Sequence, residues 1–371
     1  MEKQFVVGGA VRDVLLGREP KDLDFVWVGQ TPEKMIELGY DQVGADFPVF
    51  LDEDGNEHAL ARKERKVAAG YNGFETDFDP SVSLEDDLIR RDLTINAMAV
   101  PFESWSDFVN GYHSLVVDPF NGRIDLKHKI LRHVSDAFAE DPVRVLRVAR
   151  FAARYGFNIS LETISLMTQL VKQGELDSLV PERVWAETEK ALNEYHVMAF
   201  FRTLEMCQAS DVLFPELSLN GFLESSLRNT TELDNHAIFA LICLQMDEVS
   251  INGMCDRLKI PNEYRKFAIR STEFVNTLRQ ELTPESVVGV LESIGAFQDP
   301  SNLNDVRMVA LHSAYNTPKY HERLTRVVDI SSDVLPLRFA DLSDDQRDTL
   351  KGSEIGAALR TLRQERVFSL L

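Results

Sequence analysis

Val6-Val7-Gly8-Gly9-Ala10-Val11-Arg12-Asp13, then Leu15-Leu16-Gly17, then Asp22-Leu23-Asp24-Phe25-Val26-Trp27-Val28 form the stretch on which the reading of this chain turns. Phe5 to Val7 read as a buried strand. Gly8 and Gly9 let the backbone come close to a bound group before a helix begins near Ala10. A phosphate suits such a turn, and Arg12 on the first helical turn adds a charge-assisted contact. Further on, Leu23, Phe25 and Trp27 alternate with Asp22, Asp24 and Val26, so a strand places both carboxylates on one face. Paired carboxylates of this kind hold divalent cations. Mg2+ takes hard oxygen ligands and keeps room for substrate phosphates, which is what phosphoryl and nucleotidyl transfer require. Alone, a Gly-Gly turn is ordinary packing and an Asp-x-Asp is a solvated strand end; their joint spacing is what points to chemistry.

At this spacing the residues resemble the Gly-Gly-x-x-Arg-Asp and Asp-x-Asp signature of the DNA polymerase beta superfamily. Beyond it, Thr31-Pro32-Glu33 supplies an N-cap, a proline at the first helical position and an early acid, opening a helix to about Leu38 that Gly39 closes. Residues 47–51 read as a strand, Asp54-Gly55-Asn56 as a hairpin turn and residues 57–62 as the partner strand, giving a sheet of four to five strands. Glu57 falls on that strand. The resemblance implies a third carboxylate there, completing the metal site or acting as general base, beside the bland reading of a surface glutamate in a hairpin.

The length of 371 residues allows two or more domains, since one core rarely grows past about 250 to 300 residues. No apolar run is long enough to span a bilayer and Met1-Glu2-Lys3-Gln4 has no signal-like character, so a cytoplasmic protein is expected. Cys207, Cys243 and Cys255 form no Cys-x-x-Cys pair and read as core thiols. The net charge of −20 argues against a polyanionic partner, but charge is local. Arg123, Lys127, Lys129, Arg132, Arg144, Arg147, Arg150 and Arg154 meet only Asp125, Asp136, Glu140 and Asp141, which makes residues 123–154 a basic island.

Residues 62–79 start basic and turn Gly-rich and polar, and read as a loop able to close over triphosphate or RNA. Next, Asp86-Asp87-Leu88-Ile89-Arg90-Arg91-Asp92-Leu93-Thr94-Ile95-Asn96-Ala97 suggests an internally paired helix end with one guanidinium, Arg91, turned to phosphate or ribose. It matches Arg-Arg-Asp-x-Thr-Ile-Asn-Ala, and with it the chain resembles the class II tRNA nucleotidyltransferases, the bacterial CCA-adding enzymes. Further motifs follow in order. Residues 118–126 are similar to that family's Asp-x-x-x-Gly-x-x-Asp-Leu hinge. Glu140-Asp141-Pro142-Val143-Arg144 is similar to its Glu-Asp-x-x-Arg motif, whose Asp and Arg act as a protein template for the incoming base. The chemistry is sound: a carboxylate accepts from an exocyclic amino group and an arginine donates to a ring nitrogen or carbonyl, a pattern that C and A share and G and U lack. Helical spacing would put Asp141 and Arg144 side by side, with Arg147 and Arg150 continuing the surface as a drifting stripe. Arg183 and Glu187 read as an i,i+4 pair stiffening the same region.

From there the pattern is helical, near 160–173, 181–193, 197–209, 233–246, 261–280, 303–315 and 320–331. Many relatives carry a metal phosphohydrolase domain marked by His-Asp within 220–335. Here Leu244 and Gln245 stand in that place and cannot serve a divalent metal, while His236, His312 and His321 are scattered, so no phosphodiesterase or phosphatase activity is expected. Residues 350–366, with Arg360, Arg363 and Arg366, resemble the family's tail, which with the body grips the acceptor and T arms of tRNA. The expected architecture is an α/β head at 1–122, an all-α neck at 123–215, a helical body at 216–335 and a helical tail at 336–371. The resemblance implies Mg2+-dependent addition of C, C and A to tRNA from CTP and ATP. It places Asp22, Asp24 and Glu57 in catalysis, the first two on the metal, and Gly8, Gly9, Arg12, Arg91, Asp141, Arg144, Arg147 and Arg150 on the nucleotide; no protein partner is evident. Alternatives are a CC- or A-adding specialist, a poly(A) polymerase, and a non-catalytic tRNA-binding protein. Against the poly(A) polymerase stand residues 44–51, the Glu64-Arg65-Lys66 loop and the lack of a long basic extension after the tail.

Overall fold

The computed structural model describes residues 3–43, 49–66, 74–77 and 79–371. Strand β1 (Lys3–Val7) runs into α1 (Gly9–Leu15), and β2 (Asp24–Val28), α2 (Pro32–Glu37), β3 (Asp41–Val43), β4 (Val49–Leu51) and β5 (Glu57–Leu60) follow. Next come β6 (Lys63–Lys66), β7 (Phe74–Asp77), α3 (Leu84–Leu88), β8 (Ala99–Pro101) and α4 (Trp105–Val109). The main sheet has the order β3-β4-β5-β2-β1-β8; β2 and β5 are parallel and every other neighbouring pair is antiparallel. It has six strands rather than four to five. The strands not named from sequence are β3 and β8, each three residues long and too short to show a period, with β8 following a tight 3-10 turn.

Local chemistry accounts for the elements that hold the site. Thr31 caps α2 by accepting from the Lys34 N–H at 3.3 Å, and Pro32 stands at the first turn. The β4-to-β5 turn is organised by Asp52, whose carboxylate accepts from the backbone N–H of Asp54 and Asn56 and from the Asn56 side chain. The sheet buries both faces: Phe5, Val7, Val26 and Ala99 pack with Leu88 of α3, while Phe50 and Leu60 pack with Met35 of α2. The expected loop at 62–79 contains the antiparallel pair β6 and β7, whose Lys-Glu-Arg-Lys and Phe-Glu-Thr-Asp runs carry no apolar period to mark a strand. The Gly70-to-Gly73 stretch and residues 44–48 invoked above lie outside the described residues.

The chain continues through α5 (Gly122–His128), β9 (Ile130–Leu131), α6 (Val143–Tyr155), β10 (Asn158–Ile159), α7 (Leu161–Lys172), α8 (Pro181–Leu192), α9 (Val197–Met206) and α10 (Ser210–Leu213). β9 and β10 form a two-residue parallel pair, so residues 123–215 are not wholly α-helical as expected. The rest is helical: α11 (Gly221–Ser226), α12 (Asn235–Cys243), α13 (Glu248–Leu258), α14 (Asn262–Arg279), α15 (Pro284–Ser293), α16 (Ser301–His312), α17 (Pro318–Val334), α18 (Asp344–Thr349) and α19 (Ser353–Leu370). The chain divides into two compact units, one of residues 1–187 with 199–213 and one of 188–198 with 214–371. All three cysteines are buried free thiols. Among the described residues no helix is long and apolar enough to cross a membrane.

Candidate active site

The turn between β1 and α1 needs glycine. Gly8 has φ 68°, and a Cβ there would stand 2.8 Å from Arg91 Nη1, so the guanidinium of Arg91 lies directly over the turn. Arg91 is held there by Asp87, which accepts from its Nε and Nη2 at 3.3 and 3.1 Å. Arg12 does not reach outward as expected. It is 4% exposed and lies beneath the turn, because its nitrogens are taken: Nε donates to Asp13 at 2.9 Å and Nη1 to Asn96 at 2.5 Å. A cation so fully engaged shapes the turn and does not project into solvent.

β2 begins at Asp24, so Asp22 lies just before the strand and not within it. Neither carboxylate makes a hydrogen bond or ion pair with another described residue. Although Asp24 reaches solvent, the protein atoms around it cost its carboxylate hydration and raise its pKa above the ordinary value. Arg91 pulls it down, Asp22 pushes it up and Arg12 pulls it down again. The four charged groups are therefore one electrostatic cluster with unmet demand for positive charge at Asp24. Glu57 is the register partner of Asp24 across the parallel β2 and β5 pair, which sends both side chains to the same face of the sheet. Among the described residues no three acidic, histidine or cysteine side chains close into a metal cage. Two hard carboxylates open to solvent and substrate fit Mg2+, which retains waters and phosphate oxygens of its own.

Asp141 is not beside Arg144 on one helix: it lies before α6 and accepts from the N–H of Val143, the first residue of that helix, at 3.1 Å. Its other oxygen accepts from Arg183 Nη2 at 3.0 Å. Arg144 donates to the carbonyl of Ala137 at 2.7 Å, so Asp141 and Arg144 are each fixed by a third party and leave donors and acceptors to spare. Arg147 binds Asp92, with Nε at 2.8 Å and Nη2 at 2.7 Å from Oδ2. Burial would raise Asp92, but Arg147, Asn96 and Arg144 bring it down to about 2, and Asp92 in turn raises Arg147. Arg150 leaves the expected stripe: it is 9% exposed and donates to Glu187 at 2.7 Å. Arg183 and Glu187 thus serve longer ties than a local helix pair, one to Asp141 and one to α6. Arg132 is taken up by Asp125 and Glu162, and Arg154 approaches Asp13 at 3.7 Å. Of the basic island, Arg123, Lys127 and Lys129 remain exposed on and beside α5.

Sequence reasoning passed over Asp13, Asp92, Asn96 and Arg183 as site residues. A signal existed for three of them: Asp13 closes the quoted Gly-Gly-x-x-Arg-Asp signature, and Asp92 and Asn96 stand four apart inside the quoted Arg-Arg-Asp motif, where Asn96 Nδ2 donates to Asp92 Oδ1 at 2.9 Å. Arg183 was unreachable because its partner lies far off in sequence.

A family profile described as the poly A polymerase head domain matches residues 4–132, and one described as a probable RNA and SrmB binding site of polymerase A matches 156–219. A multifunctional CCA protein of Thioalkalivibrio sulfidiphilus is 43% identical, over 80% of this chain and 81% of the relative. The chain belongs to the class II CCA-adding enzyme family. A second multifunctional CCA protein, from Mannheimia succiniciproducens, is 41% identical over 83% of this chain and 82% of its own. The same fold occurs in a CCA-adding enzyme solved with ATP, at TM-score 0.69, 22% identity, and 99% and 86% coverage of the two chains. It occurs again in the Thermotoga maritima CCA-adding enzyme complexed with tRNA, at TM-score 0.66, 22% identity, and 100% and 90% coverage.

In this member of the CCA-adding family, Leu244 is buried in the apolar core and Gln245 accepts from Asn220 at 2.9 Å. His236 stacks on Tyr264 at 4.1 Å, His312 contacts the Met308 carbonyl and His321 contacts Asn316. The tail arginines are not a free RNA surface. Arg360 pairs with Glu292 at 3.4 Å and Arg366 with Asp333 at 3.0 Å, while Arg363 lies 3.6 Å over the Phe297 ring.

Proposed function

We propose that this chain adds C, C and A to the 3′ end of tRNA from CTP and ATP, releasing pyrophosphate at each step. The observation that carries the reading is the convergence of the Gly8-Gly9 turn, Arg91, Asp24 and Asp22 into one charge cluster with two unpaired carboxylates. Asp22 and Asp24 would hold Mg2+, which when bound neutralises the triphosphate and lowers the pKa of the attacking 3′-hydroxyl. Gly8 and Gly9 leave room for the triphosphate against backbone, and Arg91 supplies a positive charge over the same turn. Arg12 sets the shape of that turn from below. Glu57, on the same sheet face as Asp24, is the candidate base for the hydroxyl proton. Asp141, held by Arg183 and the start of α6, accepts from the amino group of C or A, and Arg144 donates beside it; Arg147 and Arg150 position that helix. We assign residues 1–122 to the head, 123–215 to the neck, 216–335 to the body and 336–371 to the tail, without a phosphohydrolase centre in the body, and we place the protein in the cytoplasm.

The test incubates purified protein with Mg2+, each labelled triphosphate singly, and tRNA transcripts ending at the discriminator base, at C or at CC. Addition of C to the first two and A to the third supports the reading. Runs of A on every transcript would mean a poly(A) polymerase, and C alone or A alone a specialist. Asp22→Ala or Asp24→Ala should lower incorporation by several orders of magnitude while tRNA affinity stays within about twofold, because these residues serve chemistry and not the remote grip. Wild-type rates in either variant would sink the metal assignment.

A further inference from the structure

Buried polar groups run without interruption from the phosphate turn to the base-reading helix. A Cβ at Gly9 would stand 3.4 Å from Arg12 Nη2, so the turn rests on that guanidinium. Arg12 Nη1 donates to Asn96 Oδ1 at 2.5 Å, Asn96 Nδ2 donates to Asp92 Oδ1 at 2.9 Å, and Asp92 Oδ2 accepts from Arg147 of α6 at 2.8 Å. Asn96 can sit only one way. Its oxygen faces a cation and its amide nitrogen faces a carboxylate, and a flip would set donor against donor and acceptor against acceptor. The other side of Arg12 is tied to the same helix: Asp13 accepts from Arg12 and from the Tyr155 hydroxyl at 3.2 Å, and the Arg12 guanidinium lies 5.2 Å over the Tyr155 ring. Arg12, Asp92 and Asn96 are all under one-tenth exposed, so water cannot substitute for a broken bond without rearrangement.

We propose that Asn96 and Asp92 are positioning residues that couple the setting of the base-reading helix at Arg147 to the phosphate turn on Arg12. A triphosphate whose base is well seated against the helix then meets a turn already in its gripping shape, and a poorly seated base meets a displaced one. Selectivity at the base thereby reaches the phosphates through a rigid buried chain, with no direct contact between Asn96 and substrate. The proposal rests on the reading of the head and neck as nucleotidyl-transfer and base-selecting parts.

The experiment measures KM and kcat for CTP, ATP, UTP and GTP separately, together with thermal midpoint and tRNA affinity, in wild type, Asn96→Ala and Asn96→Asp. In Asn96→Ala, KM for CTP and ATP should rise about tenfold or more, the loss of one charged buried hydrogen bond, and preference over UTP should fall by a comparable factor. tRNA affinity should not change. Asn96→Asp keeps the shape and the acceptor toward Arg12 but sets a second carboxyl against Asp92; a proton shared between them restores the chain, so KM should improve as pH falls, unlike in wild type. Two results overturn the proposal: a raised KM with unchanged base preference in both variants, or a lower thermal midpoint with wild-type KM and preference. A wild type that adds neither C nor A overturns the functional reading and the coupling together. An active wild type whose variants keep the wild-type base preference overturns the coupling alone.

Discussion

Gly122 shows how one hydrogen atom in place of a methyl group can join α5 to the turn at Thr94. A Cβ there would lie 2.2 Å from the carbonyl oxygen of Thr94, while the Thr94 hydroxyl donates to Asp125 at 2.7 Å and Asp118 accepts from the Gly122 N–H at 2.7 Å. The Gly122→Ala substitution must push α5 off that backbone, at a cost of about 1–3 kcal/mol. Differential scanning calorimetry should show a lower midpoint, whereas Gly253→Ala, in a helix with no atom near the added carbon, should gain about 0.5–1 kcal/mol. Equal midpoints for the two would mean the close approach is relieved elsewhere. That residues 118–126 form a joint was legible from their likeness to the family hinge. The crowding of Gly122 against Thr94 was not, because proximity between residues distant in the chain leaves no local pattern.

At the scale of elements, α6 explains both what the sequence disclosed and what it concealed. The apolar periods of α7, α8, α12, α14 and α17 were plain and their bounds fell within a few residues of expectation, whereas α6 was expected only as a helix carrying Asp141 and Arg144, with no bounds. Its polar faces were harder to read. Steps of three residues along a helix rotate by about 60° each, so a stripe starting at Arg144 and Arg147 is carried by Arg150 into the packed side. There Glu187 of α8 neutralises it. Removing one partner of so buried a pair leaves the other uncompensated, and Glu187→Ala should cost about 3–5 kcal/mol in denaturant unfolding. Arg150→Met combined with Glu187→Leu should recover most of that deficit. If the double variant were as unstable as the single one, shape and not charge would be the reason for the pair. β8, β9 and the β6 and β7 pair stayed hidden for the opposite reason, being too short or too polar for a period to register.

For the whole molecule, a net charge of −20 and a polyanionic substrate are compatible because counterion release depends on the cations that touch phosphates. Many arginines of the basic island are spent inside the protein, on Asp13, Asp92, Asp125 and Glu187. Arg123, Lys127 and Lys129 are the exposed remainder. Lys127→Glu with Lys129→Glu should weaken tRNA binding and flatten the plot of log affinity against log salt by about 0.7–0.9 for each phosphate that the protein no longer neutralises. A slope that does not move would place the RNA surface elsewhere. Sequence alone discloses charge by position but not by partner, which is why the island looked broader than the surface it leaves.

The fastening of α19 has a consequence of its own. Only Val367 of that long helix is fully buried, and its charged fastenings are Arg360 on Glu292, Arg366 on Asp333, and Arg363, which donates to the Leu337 carbonyl at 3.2 Å and lies over Phe297. Exposed ion pairs loosen as salt rises, the screening distance shrinking from about 10 Å at 0.1 M to about 3 Å at 1 M, whereas a guanidinium lying on a ring is less affected. The C-terminal helix is therefore moored by lines of unequal strength, and brine slackens two of the three. Rising salt should weaken the charged edge of α19 at Arg360 and Arg366 first, and leave Arg363 on its ring as the contact that holds longest.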